Sequence, residues 1–200
     1  MNQLAQRTTG LVVVDVQVAF DESEAAGRKR NNPDALGNIV SLLNAFRDNK
    51  MAIFHIRHAS RSPNSGFAID RPGFAVKAQA REQPGEPVIV KHVNSAFIGT
   101  DLEERLRQGG IQSIVIVGAT TNHCVETTTR MAGNMGFDAK LVRDATWTFD
   151  RIGPDGDLHT AEQIHAMTLV NLSGEFAEIV TTSNVIDSIG SAARIIDPAV

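Results

Sequence analysis

Three stretches of this chain are aliphatic at every position: Leu11-Val12-Val13-Val14, Val88-Ile89-Val90 and Ile114-Val115-Ile116-Val117. Short β-branched runs bounded by Gly10, Pro87 and Gly118 read as strands. With no polar residue at every second position, they are expected to be buried on both faces. Further strands are expected at 52–56, 139–142 and 177–180. Helical patterns lie between them. Asn32-Pro33-Asp34 supplies an N-cap, a proline at the first helical position and an acid in the first turn. The helix it opens, over 33–49, gathers Ile39, Leu42, Leu43 and Phe46 on one face. Thr100-Asp101-Leu102-Glu103 reads as a capping box for a helix ending at Gly109-Gly110. Helices are also expected at 124–135, ending at Gly136, and at 160–172. Strands alternating with helices require an α/β fold with a mainly parallel sheet covered on both faces.

A chain of 200 residues makes one domain, spanning 1–200. Hydrophobic residues at 42% against charged residues at 21% exclude disorder and fibrous repeats. The one cysteine excludes a disulfide scaffold. A net charge of −4, with no block of five like charges, gives no support to nucleic-acid or anionic-membrane binding. No apolar run approaches the ~20 residues of a membrane helix. Residues 1–10 hold no apolar signal region, and a reducing cytoplasm is the expected location. Only 57–86 breaks the pattern, with Pro63, Gly66, Pro72, Gly73, Pro84 and Gly85 and little periodicity. So long a loop in a compact domain is functional, here a lid or an interface.

Ligands of an open α/β sheet bind outside the carboxyl ends of its strands. Asp15 directly follows Val14, and Lys91 directly follows Val90. Taken singly, the first is a loop-capping aspartate and the second a snorkelling lysine. Close together in the sheet, each would offset the other's desolvation, and both pKa values would shift. Cys124 follows strand 114–117, Gly118 and the loop Ala119-Thr120-Thr121-Asn122-His123, at the first turn of a helix. By residue type alone a lone cysteine is a small buried hydrophobe. Its placement instead favours the thiolate, through the helix dipole, free N–H groups and a nearby Lys91 ammonium. The same N–H groups suit a developing oxyanion.

The motifs Leu11-Val12-Val13-Val14-Asp15-Val16-Gln17, Lys91-His92-Val93-Asn94-Ser95-Ala96-Phe97 and Val117-Gly118-Ala119-Thr120-Thr121-Asn122-His123-Cys124-Val125, followed by Val142-Arg143-Asp144-Ala145-Thr146, resemble the isochorismatase-like superfamily of cysteine hydrolases. Nicotinamidases and N-carbamoylsarcosine amidohydrolases belong to that superfamily. The resemblance covers residues 9 to 182 and rests on three motifs in the right order. It implies a Rossmann-like, three-layer α/β/α core with a six-stranded sheet. It also implies a catalytic triad of Asp15, Lys91 and Cys124, a cis peptide at Ala119–Thr120, an oxyanion hole from the N–H groups of Thr120 and Cys124, and a homodimer or homotetramer. One departure stands out. Nicotinamidases carry an Asp-x-His metal pattern after the second strand, where this chain has His55-Ile56-Arg57-His58. Those two histidines fall on opposite strand faces, unsuited to one metal. No metal is expected, and Arg57 or His58 is available for a substrate's anionic end.

Other candidates carry less. Phe20, Phe97 and Trp147 lie just beyond strand-end motifs and line a pocket or belong to the core. His123 is expected to pack outside the site, and His159 and His165 to be structural. Segment 150–157 misses the calcium-loop spacing and reads as a turn. No GxGxxG follows the first strand, so no cofactor is expected. The reading is a cysteine-dependent hydrolase of a small amide, imide or ureido compound, acting through a thioester. The alternatives are an isochorismatase-type vinyl-ether hydrolase, a thiol sensor, or an interaction module on the same fold.

Overall fold

The structure is a computed structural model and describes residues 8–196. The leader reading of the first ten residues falls mostly on 1–7, outside the described residues. Among the described residues no helix is long and apolar enough to cross a membrane. The elements alternate as β1 (Thr8–Val14), α1 (Ala19–Ala25), α2 (Ala35–Asp48), β2 (Ala52–His58), β3 (Val88–Lys91), α3 (Leu102–Gln108), β4 (Ile111–Ala119), a π-helical turn (Thr121–Val125) and α4 (Glu126–Asn134). There follow β5 (Asp138–Trp147), a small ribbon of β6 (Arg151–Ile152) and β7 (Leu158–His159), α5 (Ala161–Leu172), β8 (Glu178–Val180) and α6 (Thr182–Ile196).

Six strands form one sheet in the order β3-β2-β1-β4-β5-β8, and every neighbouring pair is parallel. Strand parity divides the core. Leu11 and Val13 face α2 and α6, packing with Ile39, Leu42, Phe46 and Val185; Val12 and Val14 face the other layer, with Leu102, Leu106, Ala132 and Leu172. This is the expected α/β/α sandwich. Each fully buried aliphatic side chain of this kind contributes about 1.5–3 kcal/mol.

Three local expectations are corrected. Thr100 does not build a capping box. Its hydroxyl donates to Ala96 O (2.5 Å), and α3 starts after Asp101, whose carboxylate is engaged by Arg105. The reciprocal box sits at Thr160–Gln163 instead, at the start of α5. Asn32 does not cap α2 either: its side chain donates to Arg143 O (2.8 Å) and Thr146 O (2.7 Å), tying the helix entry to β5. The helix expected from Cys124 starts at Glu126, because the π-turn takes residues 121–125.

The 57–86 segment is stitched down rather than splayed. Gln17 Nε2 donates to His58 O (3.1 Å) and Phe74 O (2.9 Å), while Val18 N donates to Ala75 O and Lys77 N to Val16 O. These bonds bring Phe67 against Phe20, with ring centroids 4.9 Å apart.

Candidate active site

The strand order reverses between β1 and β4, and the crevice at such a switch point is where an open α/β sheet binds ligands. Asp15 leaves β1 with φ 51°, a left-handed backbone that few residues other than glycine adopt. The bend is held by its N–H donating to Ile56 O (3.0 Å) and its carbonyl accepting from Gln17 N (2.8 Å). Across from it, Gly118 has φ 117°, and a Cβ there would sit 1.9 Å from Val14 O. Only glycine lets β4 pass this close to β1. That close passage delivers the 119–124 loop to Asp15.

Lys91 ends β3, with β2 lying between it and β1. Its buried side chain spans the gap: Nζ donates to Asp15 Oδ2 (2.7 Å) and to His58 Nδ1 (3.1 Å). Asp15 Oδ1 is also buried and has no hydrogen-bond partner among the described residues. The carboxylate, the His58 ring and the half-buried Cys124 sulfur have ligating atoms all within 4.8 Å of one another, and Cys124 Sγ is 3.8 Å from Asn94 Oδ1.

Burial pushes the Asp15 carboxyl above its ordinary value, against the pull of Lys91. The thiol moves opposite to the sequence expectation. Burial, and next the negative charge of Asp15, push Cys124 up to about 12. The Lys91 ammonium is taken up by Asp15, and the π-turn leaves Cys124 ahead of α4 rather than in its first turn. Cys124 therefore rests as a neutral thiol beside a carboxylate of enhanced basicity. Burial and Lys91 together keep the His58 imidazole neutral.

The Ala119–Thr120 peptide is cis, as the resemblance implies. Thr120 lines the same cavity as Cys124. Arg151 Nη1 lies 3.0 Å from His123 Nε2, and His123 Nδ1 lies 3.0 Å from Thr120 Oγ1. Arginine only donates, so Nε2 accepts and the Nδ1–H donates to the threonine hydroxyl.

The cavity holds about 340 Å³. Phe20 and His58 line it, as expected, but Arg57, Phe97 and Trp147 do not. Arg57 alternates to the other side of β2, where it pairs with Glu82 (2.6 Å). Phe97 packs in the core on Phe137, ring centroids 5.9 Å apart. Trp147 is wholly buried behind Phe20, with its ring edge-on at 5.7 Å. His123, expected outside, borders the cavity, because neighbours in a helical turn are only about 100° apart and both can face one hollow. Arg28, Phe67, Asn94, Thr148, Phe149 and Arg151 were missed. Asn94 stands inside a quoted motif, three residues after Lys91, and was legible there. Arg151 lies in segment 150–157, read as a turn, whose first residues instead pair with Leu158 and His159 as the β6–β7 ribbon.

The nicotinamidase metal pattern finds no counterpart. His55 lies on the opposite face from His58 and pairs with Glu86 (2.8 Å). Among the described residues the one three-ligand cluster is Asp15, His58 and Cys124, and the Lys91 ammonium already sits on two of its members. The donor set does not fit a metal ion. His165, expected to be structural, is buried with Nδ1 3.0 Å from Thr121 Oγ1.

Residues 9–184 match the family model described as the isochorismatase domain. An uncharacterized isochorismatase family protein of Bacillus subtilis, YrdC, is 43% identical over 177 residues, covering 88% of this chain and 94% of that protein. A putative hydrolase of the isochorismatase family from Chromobacterium violaceum superposes with a TM-score of 0.88 at 39% identity, over 92% of this chain and 94% of that one. A structure from Pseudomonas syringae called a cysteine hydrolase gives 0.84 at 27% identity, over 92% and 93% of the two chains. More distant relatives are named Nicotinamidase 3 in Arabidopsis thaliana (27% identical, 87% of this chain and 85% of that) and ureidoacrylate amidohydrolase in Agrobacterium fabrum (30%, 62% and 50%). With the matched domain running through all three strand-end motifs, the chain belongs to the isochorismatase family of hydrolases.

Proposed function

We propose that the protein hydrolyses a small amide, imide or ureido compound, with Cys124 as nucleophile, Asp15 as general base and acid, and Lys91 as the group that positions Asp15. The observation that carries this reading is the bare Oδ1 of Asp15. It is a buried carboxylate oxygen with no donor among the described residues, on a residue whose ligand atom lies within 4.8 Å of the Cys124 sulfur. Burial raises the proton affinity of that carboxylate above its ordinary value.

As Cys124 Sγ attacks the carbonyl carbon, its proton passes to Asp15 and the carbonyl electrons move onto oxygen. The N–H groups of Thr120 and Cys124 hold that oxyanion. The C–N bond then breaks, Asp15 returns the proton to the leaving nitrogen, and a thioester remains. Water attacks the thioester and gives its proton to Asp15, and the departing sulfur recovers it. Lys91 holds Asp15 in place throughout, through the hydrogen bond from its Nζ to Oδ2. The names carried by the two distant relatives support cleavage of a C–N bond. A thiol sensor requires a thiolate at neutral pH, and a thiol pushed up to about 12 disfavours it.

Replacing Cys124 with Ala tests the reading on a panel of small amides and ureides scored by ammonia release. The variant is expected to lose all measurable turnover while keeping the wild-type unfolding midpoint. Turnover retained in that variant would remove the covalent mechanism.

A further inference from the structure

The turn that carries Cys124 is a rare kind of helix, and it is tied down from outside. Residues 121–125 form a π-turn, with Val125 N donating to Thr120 O (3.3 Å). Such turns occur mostly singly, and frequently at functional sites. From Glu126 the chain continues as the regular helix α4. Were the turn to tighten in the same way, the rotation per residue would change and Cys124 would swing relative to Thr120. The wide form therefore depends on what grips it.

Three successive side chains of the turn are gripped. Asn122 Oδ1 accepts from Thr148 Oγ1 (2.5 Å), and His123 is engaged by Arg151; both of these partners line the cavity. Thr121 lies off the cavity. It is fully buried, and its Oγ1 meets Nδ1 of the buried His165 at 3.0 Å. His165 comes from α5, whose start is itself fixed by the Thr160–Gln163 capping box and by Ala161 N donating to Asp150 Oδ1 (2.7 Å). Burial lowers the pKa of the His165 ring and holds it neutral, against the Arg143 carbonyl of β5, its second hydrogen-bond partner. A hydrogen bond shielded from water in this way is stronger than one at the surface. Of the three grips, this is the one placed where substrate does not reach.

We propose that His165 is a positioning residue: through Thr121 it holds residues 121–125 in the wide π form, and so keeps the N–H groups of Thr120 and Cys124 aligned on the carbonyl that the Cys124 sulfur attacks. His165 touches no substrate and moves no proton. Its effect falls on steps that build an oxyanion, because those depend on both N–H groups at once, and small displacements there are costly. A reaction of the same sulfur that builds no oxyanion is indifferent to that alignment. This inference rests on Cys124 as the nucleophile, and the test separates the two.

The test compares two reagents on Cys124. With p-nitrophenyl acetate, Sγ bonds to the carbonyl carbon through an oxyanion, p-nitrophenolate leaves, and the thiol proton goes to Asp15. With iodoacetamide, Sγ bonds to the methylene carbon and iodide leaves, with no oxyanion formed. The first rate is read as p-nitrophenolate release above that of Cys124→Ala, the second by intact mass. The acylation-to-alkylation ratio is taken in the wild type, H165F, T121V, the double variant H165F/T121V and H165N. It is expected to fall about tenfold in H165F, short of the hundredfold or more that losing an oxyanion donor outright costs. T121V should match that fall, and the double variant should fall no further, since both singles cut one link. H165N, whose amide reaches the Nδ1 position, is expected to restore most of the ratio. Each single substitution strands one buried polar atom, whereas the double removes both and spares the fold. A general loss of fold slows both reactions and cancels in the ratio. A ratio unmoved in the double variant, or losses that multiply there, overturns the positioning role and leaves the nucleophile standing. Failure of the wild type to exceed Cys124→Ala with p-nitrophenyl acetate overturns the nucleophile, and this inference with it.

Discussion

Two carboxylates, the buried Asp15 beyond β1 and the partly buried Glu86 just before β3, each face a basic side chain, and they are satisfied to opposite degrees. Glu86 takes Arg47 Nε on Oε1 (2.7 Å), and Arg47 Nη2 (2.9 Å), His55 Nε2 (2.8 Å) and Gln83 N (2.8 Å) on Oε2. Asp15 takes one lysine on Oδ2 and leaves Oδ1 bare. Burial pushes both carboxyls up. At Glu86 the Arg47, Gln83 and His55 donors more than reverse this and hold it at about 2. At Asp15 the single ammonium does not. An anion saturated with donors is a structural fixture. One left short of them, beside a protonated thiol, keeps an oxygen free to take a proton.

The most severe way to break the contrast is Asp15→Asn. The amide keeps the shape and can still accept from Lys91, but it cannot take a proton. Turnover is expected to fall about a thousandfold, within the range for loss of a general base. Steady-state rates on a hydrolysed amide measure this, and a loss under tenfold would remove Asp15 from proton transfer. The thiol gives the next effect. With Cys124 pushed up to about 12, labelling by iodoacetamide should climb tenfold per pH unit from 7 to 10, with no plateau near 9. At pH 9 it should run on the order of a hundredfold below the same cysteine in urea. In Asp15→Asn the neighbouring negative charge is gone, and the profile should shift to lower pH. A wild-type plateau near pH 8 would mean an ionised thiol and a different division of labour.

Asp15 and Lys91 could be read from sequence because each terminates an aliphatic run: a charge directly after Val14 or Val90 stands out against its neighbours. The parallel sheet was legible for the same reason. Helices α1 and α6 were not, since the first is only seven residues long and the second follows a three-residue strand, its reciprocal Thr181–Asn184 cap lacking the Glu or Gln of the usual signature. β5 proved longer than its apolar core because it bulges between Leu141 and Thr146, opposite Ile116 and Gly118 of β4, and pairs again at Thr146 with Gly118. Arg28 and Arg151 are more than a hundred residues apart, and only the pairing of 28–31 with 148–151 makes them neighbours. The thiol's acidity was misjudged because helix position and a lysine were visible in sequence, whereas burial and the claim of Asp15 on that lysine were not.

The smallest effect sharpens the contrast from the structural side. Glu86 has a folded-state pKa of about 2 against an ordinary 4.5, so its stabilisation is complete above pH 4.5 and is lost as pH falls toward 2. A depression of that size corresponds to about 3 kcal/mol. His55, held neutral by burial with a lowered pKa, adds acid sensitivity of the same sign below its ordinary 6.5. Glu86→Gln keeps a hydrogen-bonding shape but removes the charge that Arg47 needs. Urea unfolding is expected to show a loss of about 3 kcal/mol at pH 7, shrinking toward zero near pH 2, where the wild-type carboxyl is itself protonated. Turnover should stay at the wild-type level, because nothing in the Glu86 network lines the cavity. Asp15 contributes with the opposite sign: its raised pKa favours the protonated form in the folded protein and lowers stability as pH rises through and above the ordinary carboxylate range. A stability loss in Glu86→Gln that is equal at both pH values would show that Glu86 acts by packing and not by charge, and the division between saturated and bare carboxylate would then not explain their different proton affinities.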